Sequence, residues 1–217
     1  MASTRDARRW LQVIATIIKD GFMLAAVILS GGASSRMGSP KALLPYQGRP
    51  FLEHLLEVTN HPKIGVRRVV LGAHAEPIVK AIALNPGEVV VNEEWEKGQL
   101  SSIQAAVRSL PAGTDGMLLC LIDHPLISLG LVDGLIEQFY ATQAKVVLPL
   151  FEGRRGHPVI FSAALYGELE NAPEEVGARS VVWAHRAEVS EYVTMEEGCV
   201  LNLNDPLTFE RLTRSPE

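Results

Sequence analysis

The sequence has little cysteine, few aromatic residues and no excess of positive charge. Its 2 cysteines, Cys120 and Cys199, lack the spacing of a metal-binding motif, and we expect reduced thiols rather than the one disulfide they would allow. The net charge of −5 argues against a protein whose main role is to bind nucleic acid, since such proteins are usually basic. No apolar run is long enough to cross a bilayer. We therefore expect a cytoplasmic protein with no integral membrane segment and no nucleic-acid partner.

Residues 1–22 are predicted to be a helical extension in front of a single domain that covers residues 23–217. Three arginines precede an apolar stretch from Trp10 to Ile18, and no small-residue cleavage site follows it. This pattern favours a short amphipathic helix that packs on the domain. A helix that lies on a membrane surface is the alternative.

Apolar strand-like runs alternate with helical patterns along the rest of the chain. The predicted strands cover residues 24–30, 67–72, 88–92, 116–122, 145–150, 157–161 and 189–194. The predicted helices cover residues 50–60, 75–84, 99–109, 129–142, 162–170, 177–185 and 206–213. Such alternation is typical of a mainly parallel sheet with helices on both faces. The sequence therefore predicts a three-layer, Rossmann-like α/β fold whose ligands bind at the carboxyl ends of the strands.

A loop rich in glycine and serine follows the first predicted strand. It contains three glycines and two cations, Arg36 and Lys41. The backbone N–H groups of such a loop can surround phosphates while the cations supply positive charge. The loop is neither a Walker A motif nor a dinucleotide-binding motif, because Ser39 follows its last glycine and no Gly-x-Gly-x-x-Gly spacing occurs. The pattern predicts a phosphate-binding loop, and a structural turn that happens to contain two cations is the alternative.

An aspartate stands directly after the buried run 116–122. We expect Asp123 to bind Mg²⁺, or Mn²⁺, because both ions prefer oxygen ligands. Capping of the next turn or helix is the alternative role for this carboxylate. Asn204 is predicted to be a second metal ligand through its side-chain oxygen, unless Asn202 and Asn204 serve only to form a turn. For His124 a role in the turn and a role in catalysis both remain open.

A second group of cations is predicted in the C-terminal half, where Arg154, Arg155, His157 and Arg179 are found. In an acidic protein such a cluster suits an anionic second substrate, and a solvated loop with scattered cations is the alternative. No serine–histidine–aspartate triad stands out in the sequence. A phosphate acceptor would not need one, because it is already a nucleophile and catalysis then rests on positioning and charge neutralisation.

Five blocks of the chain, within about residues 23–213, carry a resemblance to a known family. The blocks are Leu29 to Gly48, with the glycine-rich loop and Lys-Ala-Leu-Leu-Pro, then Asn92 to Ile103, Asp123-His124-Pro125, Gly153 to Phe161, with Arg-Gly-His-Pro-Val, and Gly177-Ala178-Arg179. They resemble the molybdenum-cofactor cytidylyltransferases and the wider group of molybdopterin nucleotidyltransferases. The resemblance implies a fold of the nucleotide-diphospho-sugar transferase type.

The resemblance implies transfer of a nucleoside monophosphate from an NTP, with CTP favoured, to the terminal phosphate of molybdopterin or molybdenum cofactor, and release of pyrophosphate. A molybdoenzyme that receives the product would be a further partner. The implied catalytic residues are Arg36, Lys41 and Asp123. The implied nucleotide-binding residues are Leu29, Ser30, Gly31, Gly32, Ala33, Arg36, Lys41, Gly98, Ser101 and Ser102. The implied acceptor-binding residues are Arg155, Gly156, His157, Pro158 and Arg179.

The chain departs from the family pattern at two places. Asn202 and Asn204 stand where the cytidylyltransferases commonly have aspartates, and His124 replaces a glutamine. Fewer acids weaken the attraction for Mg²⁺, and this keeps two alternatives open. One is a related nucleotidyltransferase that acts on a sugar phosphate or another phosphorylated acceptor. The other is a non-catalytic chaperone that binds molybdenum cofactor and delivers it to a partner enzyme.

Overall fold

The structure is a computed structural model that describes residues 23–33 and 38–204. The predicted N-terminal helical extension, residues 1–22, lies outside the described residues, as do Arg36 and the predicted helix 206–213. No helix in the described part of the chain is long and apolar enough to cross a membrane.

The central strand of the fold is β1 (Leu24–Ser30), and each of its residues is buried. It pairs in parallel with β4 (Ile64–Leu71) on one side and with β6 (Gly116–Leu121) on the other. Because helices cover both faces of such a strand, its sequence is continuously apolar rather than alternating.

Six of the seven strands in the main sheet path are parallel, with the order β10-β7-β9-β6-β1-β4-β5. The further strands are β2 (Pro45–Tyr46), β3 (Arg49–Pro50), β5 (Val89–Val91), β7 (Val146–Phe151), β8 (Arg154–Arg155), β9 (Val159–Ser162) and β10 (Val189–Val193). Strand β9 runs antiparallel to β6 and β7, β8 pairs with β7, and β2 and β3 form a separate hairpin.

Helices pack on both faces of the sheet. They are α1 (Phe51–Val58), α2 (Ala75–Ala81), α3 (Gln99–Ser109), α4 (Leu129–Thr142), α5 (Tyr166–Glu170) and α6 (Arg179–Ala184). One core cluster contains Leu55 of α1, Ile78 of α2 and Leu135 of α4, and the other contains Ile103 of α3 and Leu169 of α5. The three-layer, mainly parallel α/β fold expected from the sequence is therefore confirmed.

Some predicted boundaries differ from the structure. Strand β4 begins at Ile64 rather than at residue 67, and Arg67 and Arg68 in its middle separate its first apolar residues from the apolar run that ends it. Arg67 is accommodated by an ion pair in which its Nη2 lies 2.9 Å from Glu88 Oε1. The predicted helix 162–170 is a 3₁₀ turn followed by the short α5, and α6 starts at Arg179, after Gly177 has adopted a positive φ of 71°.

Candidate active site

A cleft of about 570 Å³ lies at the carboxyl ends of the two central strands β1 and β6. It is lined by Leu29, Ser30, Gly31, Gly32, Lys41, Trp95, Gly98, Gln99, Ser102, Leu121, Ile122, Asp123, His124, His157, Arg179, Asn202 and Asn204. Ligands of open parallel sheets bind at this edge. The structure thus brings the glycine-rich loop, the aspartate after β6 and the C-terminal asparagines into one cleft, as the sequence predicts.

The glycine-rich loop is held closely against its neighbours at Gly31. A Cβ atom on Gly31 would lie 2.8 Å from Ser102 Oγ, so a larger residue there would collide with the wall of the cleft. Gly72, at the end of β4, approaches the same loop, because a Cβ on Gly72 would lie 2.3 Å from the Gly31 carbonyl oxygen. The absence of side chains lets the backbone of the loop face a ligand directly.

Asn92 organises the wall of the cleft that lies next to the glycine-rich loop. Its buried Nδ2 donates hydrogen bonds to Ser101 Oγ at 2.9 Å and Ser102 Oγ at 3.0 Å. Its Oδ1 accepts a hydrogen bond from the backbone N–H of Glu94 at 3.1 Å. Ser102 lines the cleft, whereas Ser101 lies behind it, with its Oγ 2.8 Å from the carbonyl oxygen of Gly98. Ser101 therefore supports the wall that Ser102 presents to a ligand.

Lys41 joins the two predicted metal ligands. Its Nζ donates a hydrogen bond to Asn204 Oδ1 and lies 3.8 Å from Asp123 Oδ2. The side chains of Lys41 and Asp123 are only 16% and 18% exposed, so the charges act on each other in partly dehydrated surroundings. One cation and two oxygen donors thus meet beside the glycine-rich loop.

The segment from Asn202 to Asn204 is fixed against the end of β6. Asn202 Nδ2 donates to Asp123 Oδ2 at 3.1 Å, and the backbone N–H of Leu203 donates to the Asp123 carbonyl oxygen at 2.8 Å. An aspartate at position 202 would instead place a second negative charge against the Asp123 carboxylate. The asparagine that departs from the family pattern therefore has a local role, since it donates where an acid would repel.

His124 and His157 form a neighbouring pair at the cleft. Their ring centroids are 5.0 Å apart, and the Nδ1 atoms of both rings are buried without a hydrogen-bond partner. Burial lowers the pKa of His124, and burial together with the neighbouring His124 ring lowers the pKa of His157 to about 4. Both imidazoles are therefore neutral near pH 7, so this wall offers hydrogen-bonding rings rather than positive charge.

The predicted acceptor-binding residues are divided by the structure. His157 and Arg179 line the cleft, whereas Arg155, Gly156 and Pro158 lie outside its lining. Arg155 is on the hairpin strand β8, and its Nη2 lies 2.7 Å from Glu191 Oε1 of β10. Gly156 packs against the chain, because a Cβ there would lie 2.4 Å from the Cys199 carbonyl oxygen. Binding of the acceptor by these residues stays a prediction.

Several residues at or behind the cleft were not among the predicted site residues. Trp95 and Gln99 line the cleft, and Gly72, His74 and Asn92 contact the elements that line it. Asn92 and Trp95 belong to the sequence block 92–103, which carried the only signal for them. Gly72 and His74 follow an ordinary buried strand, and no local pattern marks them.

Comparison with known proteins agrees with this arrangement. Residues 26–189 match the family model for the MobA-like NTP transferase domain. The chain belongs to this family. Its match covers β1 to the start of β10, so it includes the glycine-rich loop and Asp123. The nucleotidyltransferase family expected from the sequence is therefore confirmed.

The chain matches two curated relatives over most of their length. The nicotine blue oxidoreductase of Paenarthrobacter nicotinovorans is 32% identical over 149 residues, which are 65% of this chain and 72% of that protein. The probable molybdenum cofactor guanylyltransferase of Mycobacterium marinum (strain ATCC BAA-535 / M) is 28% identical over 192 residues, which are 85% of this chain and 90% of that protein. The relatives of this chain therefore carry names that describe two different chemistries.

The fold is shared with the Rv0371c protein from Mycobacterium tuberculosis H37Rv. Its crystal structure has a TM-score of 0.77 and 28% identity, and the match covers 89% of this chain and 98% of that one. A second structure, of Rv0371c in complex with manganese, has a TM-score of 0.70 and 24% identity and covers 89% and 99% of the two chains. These likenesses confirm the fold type expected from the sequence.

Proposed function

We propose that this nucleotidyltransferase moves a nucleoside monophosphate from an NTP to the terminal phosphate of molybdopterin or molybdenum cofactor. CTP is the favoured nucleotide, so the group that is transferred is CMP. The observation that carries the proposal is the meeting of Lys41, Asp123 and Asn204 beside the glycine-rich loop in one cleft. A glycine-rich loop, a lysine and a carboxylate together suit a triphosphate. The names of the guanylyltransferase relatives support molybdenum cofactor as the acceptor.

The cleft residues fit a divalent metal ion. Asp123 offers a carboxylate and Asn204 an amide oxygen, and both are in contact with the Lys41 amine, so a positive charge is already accommodated there. Within the described residues no group of three histidine, cysteine or acidic side chains could hold a metal, so phosphate oxygens and water would complete the ligand set. Mg²⁺ or Mn²⁺ would thus be held by Asp123 and Asn204. When bound, the ion would withdraw charge from the phosphate oxygens.

The reaction needs positioning more than proton transfer. A terminal phosphate oxygen of the acceptor forms a bond to the α-phosphorus of the NTP, and the bond from that phosphorus to the bridging oxygen breaks. Pyrophosphate leaves with the electron pair of the broken bond. The acceptor oxygen is already anionic near pH 7, so no residue has to remove a proton. Lys41 and the backbone of the glycine-rich loop are left to hold the phosphates and neutralise their charge.

The choice of CTP rests on two sequence blocks, the Lys-Ala-Leu-Leu-Pro that begins at Lys41 and the Arg-Gly-His-Pro that begins at Arg155. The guanylyltransferase names among the relatives favour GTP as the second candidate. The name of the 32% identical relative favours a third activity, oxidation and reduction of a coloured substrate. That activity would need an electron donor such as NADH and would release no pyrophosphate.

Pyrophosphate release from CTP, GTP or ATP tests the proposal, with purified protein, Mg²⁺ and either molybdenum cofactor or a panel of sugar phosphates. We expect release with CTP and molybdenum cofactor, and loss of release in Asp123→Asn. The matched control is Asp133→Asn, because Asp133 is half-exposed and its carboxylate pairs with His61 at 3.0 Å, away from the residues that line the cleft.

The other outcomes decide between the alternatives. Release with GTP alone would replace CMP transfer by GMP transfer. Release only with a sugar phosphate would overturn the acceptor. Cofactor binding without any release, unchanged in Asp123→Asn, would overturn enzymatic transfer in favour of a cofactor chaperone. A separate assay supplies NADH and a coloured organic electron acceptor. Oxidation of NADH coupled to reduction of that acceptor, followed at the absorbance maximum of NADH, would favour an oxidoreductase activity instead.

A further inference from the structure

The segment after β4 contacts the glycine-rich loop at both ends of its described part. His74 Nε2 lies 2.7 Å from the Ala33 carbonyl oxygen, and the backbone N–H of Ala73 donates to the Gly31 carbonyl oxygen at 3.2 Å. Since a carbonyl can only accept, the imidazole Nε2 carries the proton that is donated to Ala33. The three residues Gly72 to His74, which follow the end of β4, therefore face the glycine-rich loop that follows the neighbouring strand β1.

The two bonds set the direction in which the loop presents its backbone. Carbonyl oxygens carry partial negative charge, so a phosphate-binding loop has to turn them away from the bound anion and leave its N–H groups toward it. The bonds to Gly31 and Ala33 turn two carbonyls toward the Gly72–His74 segment. Gly32, between them, is exposed and lines the cleft.

The bond from His74 acts on a part of the loop that is open to solvent. Gly32 and Ala33 are exposed, and a chain with glycines in it loses much conformational entropy when a ligand orders it. A bond that holds the loop in its binding shape before the nucleotide arrives lowers that cost. The side chain of His74 itself is absent from the lining of the cleft, so it acts through the loop.

We infer that His74 is a positioning residue for the triphosphate, which holds the Ala33 carbonyl away from the phosphate side of the glycine-rich loop. The inference rests on the proposed function only in taking the loop as the nucleotide-binding loop. The identity of the acceptor does not enter it. Binding of nucleotide alone, without turnover, is therefore the measurement that tests it.

The experiment compares His74→Ala with His54→Ala in the full chain. His54 is a matched control, because its Nε2 makes the same kind of bond to a backbone carbonyl, that of Tyr46, at 2.7 Å. The dissociation constants of CTP, GTP and ATP with Mg²⁺ are measured by calorimetry. We expect His74→Ala to weaken the nucleotide that binds by about five- to tenfold, in line with one lost hydrogen bond, and His54→Ala to leave it unchanged.

A conservative variant separates positioning from folding. His74→Gln keeps a side-chain N–H near the place of Nε2, and we expect it to recover most of the lost affinity. Amide hydrogen exchange at Gly31 to Ala33 should be faster in His74→Ala and restored in His74→Gln, with the melting temperature unchanged in both. Equal nucleotide affinity in His74→Ala and the native protein would overturn the inference. Weaker binding that follows a lowered melting temperature and is not recovered by His74→Gln would overturn it too.

The measurement of nucleotide binding also distinguishes failure of the His74 inference from failure of the proposed function. If the acceptor is wrong, no pyrophosphate is released but the nucleotide still binds, and the effect of His74→Ala is still seen. If the loop does not bind nucleotide at all, the native protein gives no binding heat with any of the three nucleotides, and both proposals are overturned together.

Discussion

Lys41 Nζ donates a hydrogen bond to the Oδ1 of Asn204, a residue 163 positions away in the chain. The same amine lies 3.8 Å from Asp123 Oδ2. The Lys41 amine thus already contacts the oxygen atoms of Asp123 and Asn204, which are the two donors that fit a metal ion. The lysine and a metal ion cannot make the same contacts at once, so binding of the metal requires the amine to move toward another anion, for which the phosphates of a nucleotide are suited.

Replacement of this amine should change metal and nucleotide binding in opposite directions. In Lys41→Met we expect Mn²⁺ to bind about tenfold more tightly in the absence of nucleotide, because a competing charge at about 4 Å is removed. The nucleotide should bind more weakly because the phosphates lose a cation. Electron paramagnetic resonance of free Mn²⁺ measures the first effect and calorimetry the second.

The control for this prediction is Lys63→Met, which removes the same charge from an amine that lies 5.8 Å from the centroid of the Tyr140 ring, outside the cleft lining. We expect no change of either affinity there. An Mn²⁺ affinity that is the same in Lys41→Met and in the native protein would show that the lysine does not compete for these ligands.

Loss of the Asn92 side chain should destabilise the fold as well as the cleft. In Asn92→Ala the hydroxyls of Ser101 and Ser102 each lose a buried hydrogen-bond donor. Leaving buried polar groups unpaired costs about 1–3 kcal/mol, and we expect the free energy of unfolding to fall by that amount. Urea denaturation measures it. Asn171→Ala is the control, since its exposed side chain bonds, among the described residues, only to the Gly167 carbonyl oxygen, and a change there above about 0.5 kcal/mol would contradict the reasoning.

A methyl group at position 72 should lower the stability of the fold. In Gly72→Ala the new Cβ would meet the Gly31 carbonyl oxygen at 2.3 Å and Trp95 Cβ at 2.6 Å, so the backbone of the loop or the tryptophan has to shift. We expect a loss of about 1–3 kcal/mol, typical of overpacking. Gly87→Ala has open space around its new Cβ and should be nearly neutral. Thermal unfolding of both variants, with tryptophan fluorescence as the probe, checks this, and equal melting temperatures would refute it.

Stability should depend on pH through His185, away from the cleft. The hydrogen bonds that His185 donates to the carboxylates of Glu188 and Glu168 hold the pKa of His185 above its ordinary value of 6.5, and His185 in turn lowers the pKa of Glu188 below 4.5. The imidazolium contribution is fully present below pH 6.5 and is lost as the pH rises through the raised pKa. The Glu188 contribution is present above pH 4.5 and is lost as the pH falls through the lowered pKa.

The pair therefore contributes most between pH 4.5 and 6.5. We expect His185→Gln to lower the melting temperature more at about pH 5.5 than at about pH 9, because only the native protein carries the charged pair at the lower pH. The same difference in melting temperature at the two pH values would show that the charge of His185 contributes nothing.

The strands of the sheet could be predicted because a buried strand is visible in the sequence as a run of apolar residues. Strand β1 is covered on both faces, and its apolar run matches the predicted bounds of 24–30. The start of β4 could not be found in this way, because Arg67 and Arg68 lie within the strand and reach outward to Glu88 and the Ser109 carbonyl oxygen. These partners of Arg67 and Arg68 are distant in sequence, so no local sequence pattern indicates them.

Two residues of the cleft could be selected from the sequence. Asp123 directly follows a buried strand, where an acid has few structural uses, and Lys41 lies in the segment after β1 that contains the glycine-rich loop; the structure puts them together. The residues that hold the glycine-rich loop in place could not be predicted in this way. Gly72 and His74 follow β4 but contact the loop that follows β1, and this contact depends on the fold. Arg155 shows the converse, since it is two positions from His157 and yet turns to Glu191 rather than to the cleft.

The position of Asn202 and Asn204 has a consequence for the order in which the molecule is made. A chain that grows from its amino end contains every strand of the sheet, the last of which ends at Val193, before these two asparagines are added. Until then the Asp123 carboxylate lacks the Asn202 amide and Lys41 lacks the Asn204 oxygen. The contacts of Lys41 and Asp123 in the cleft are therefore complete only when the C-terminal segment lies against the end of β6.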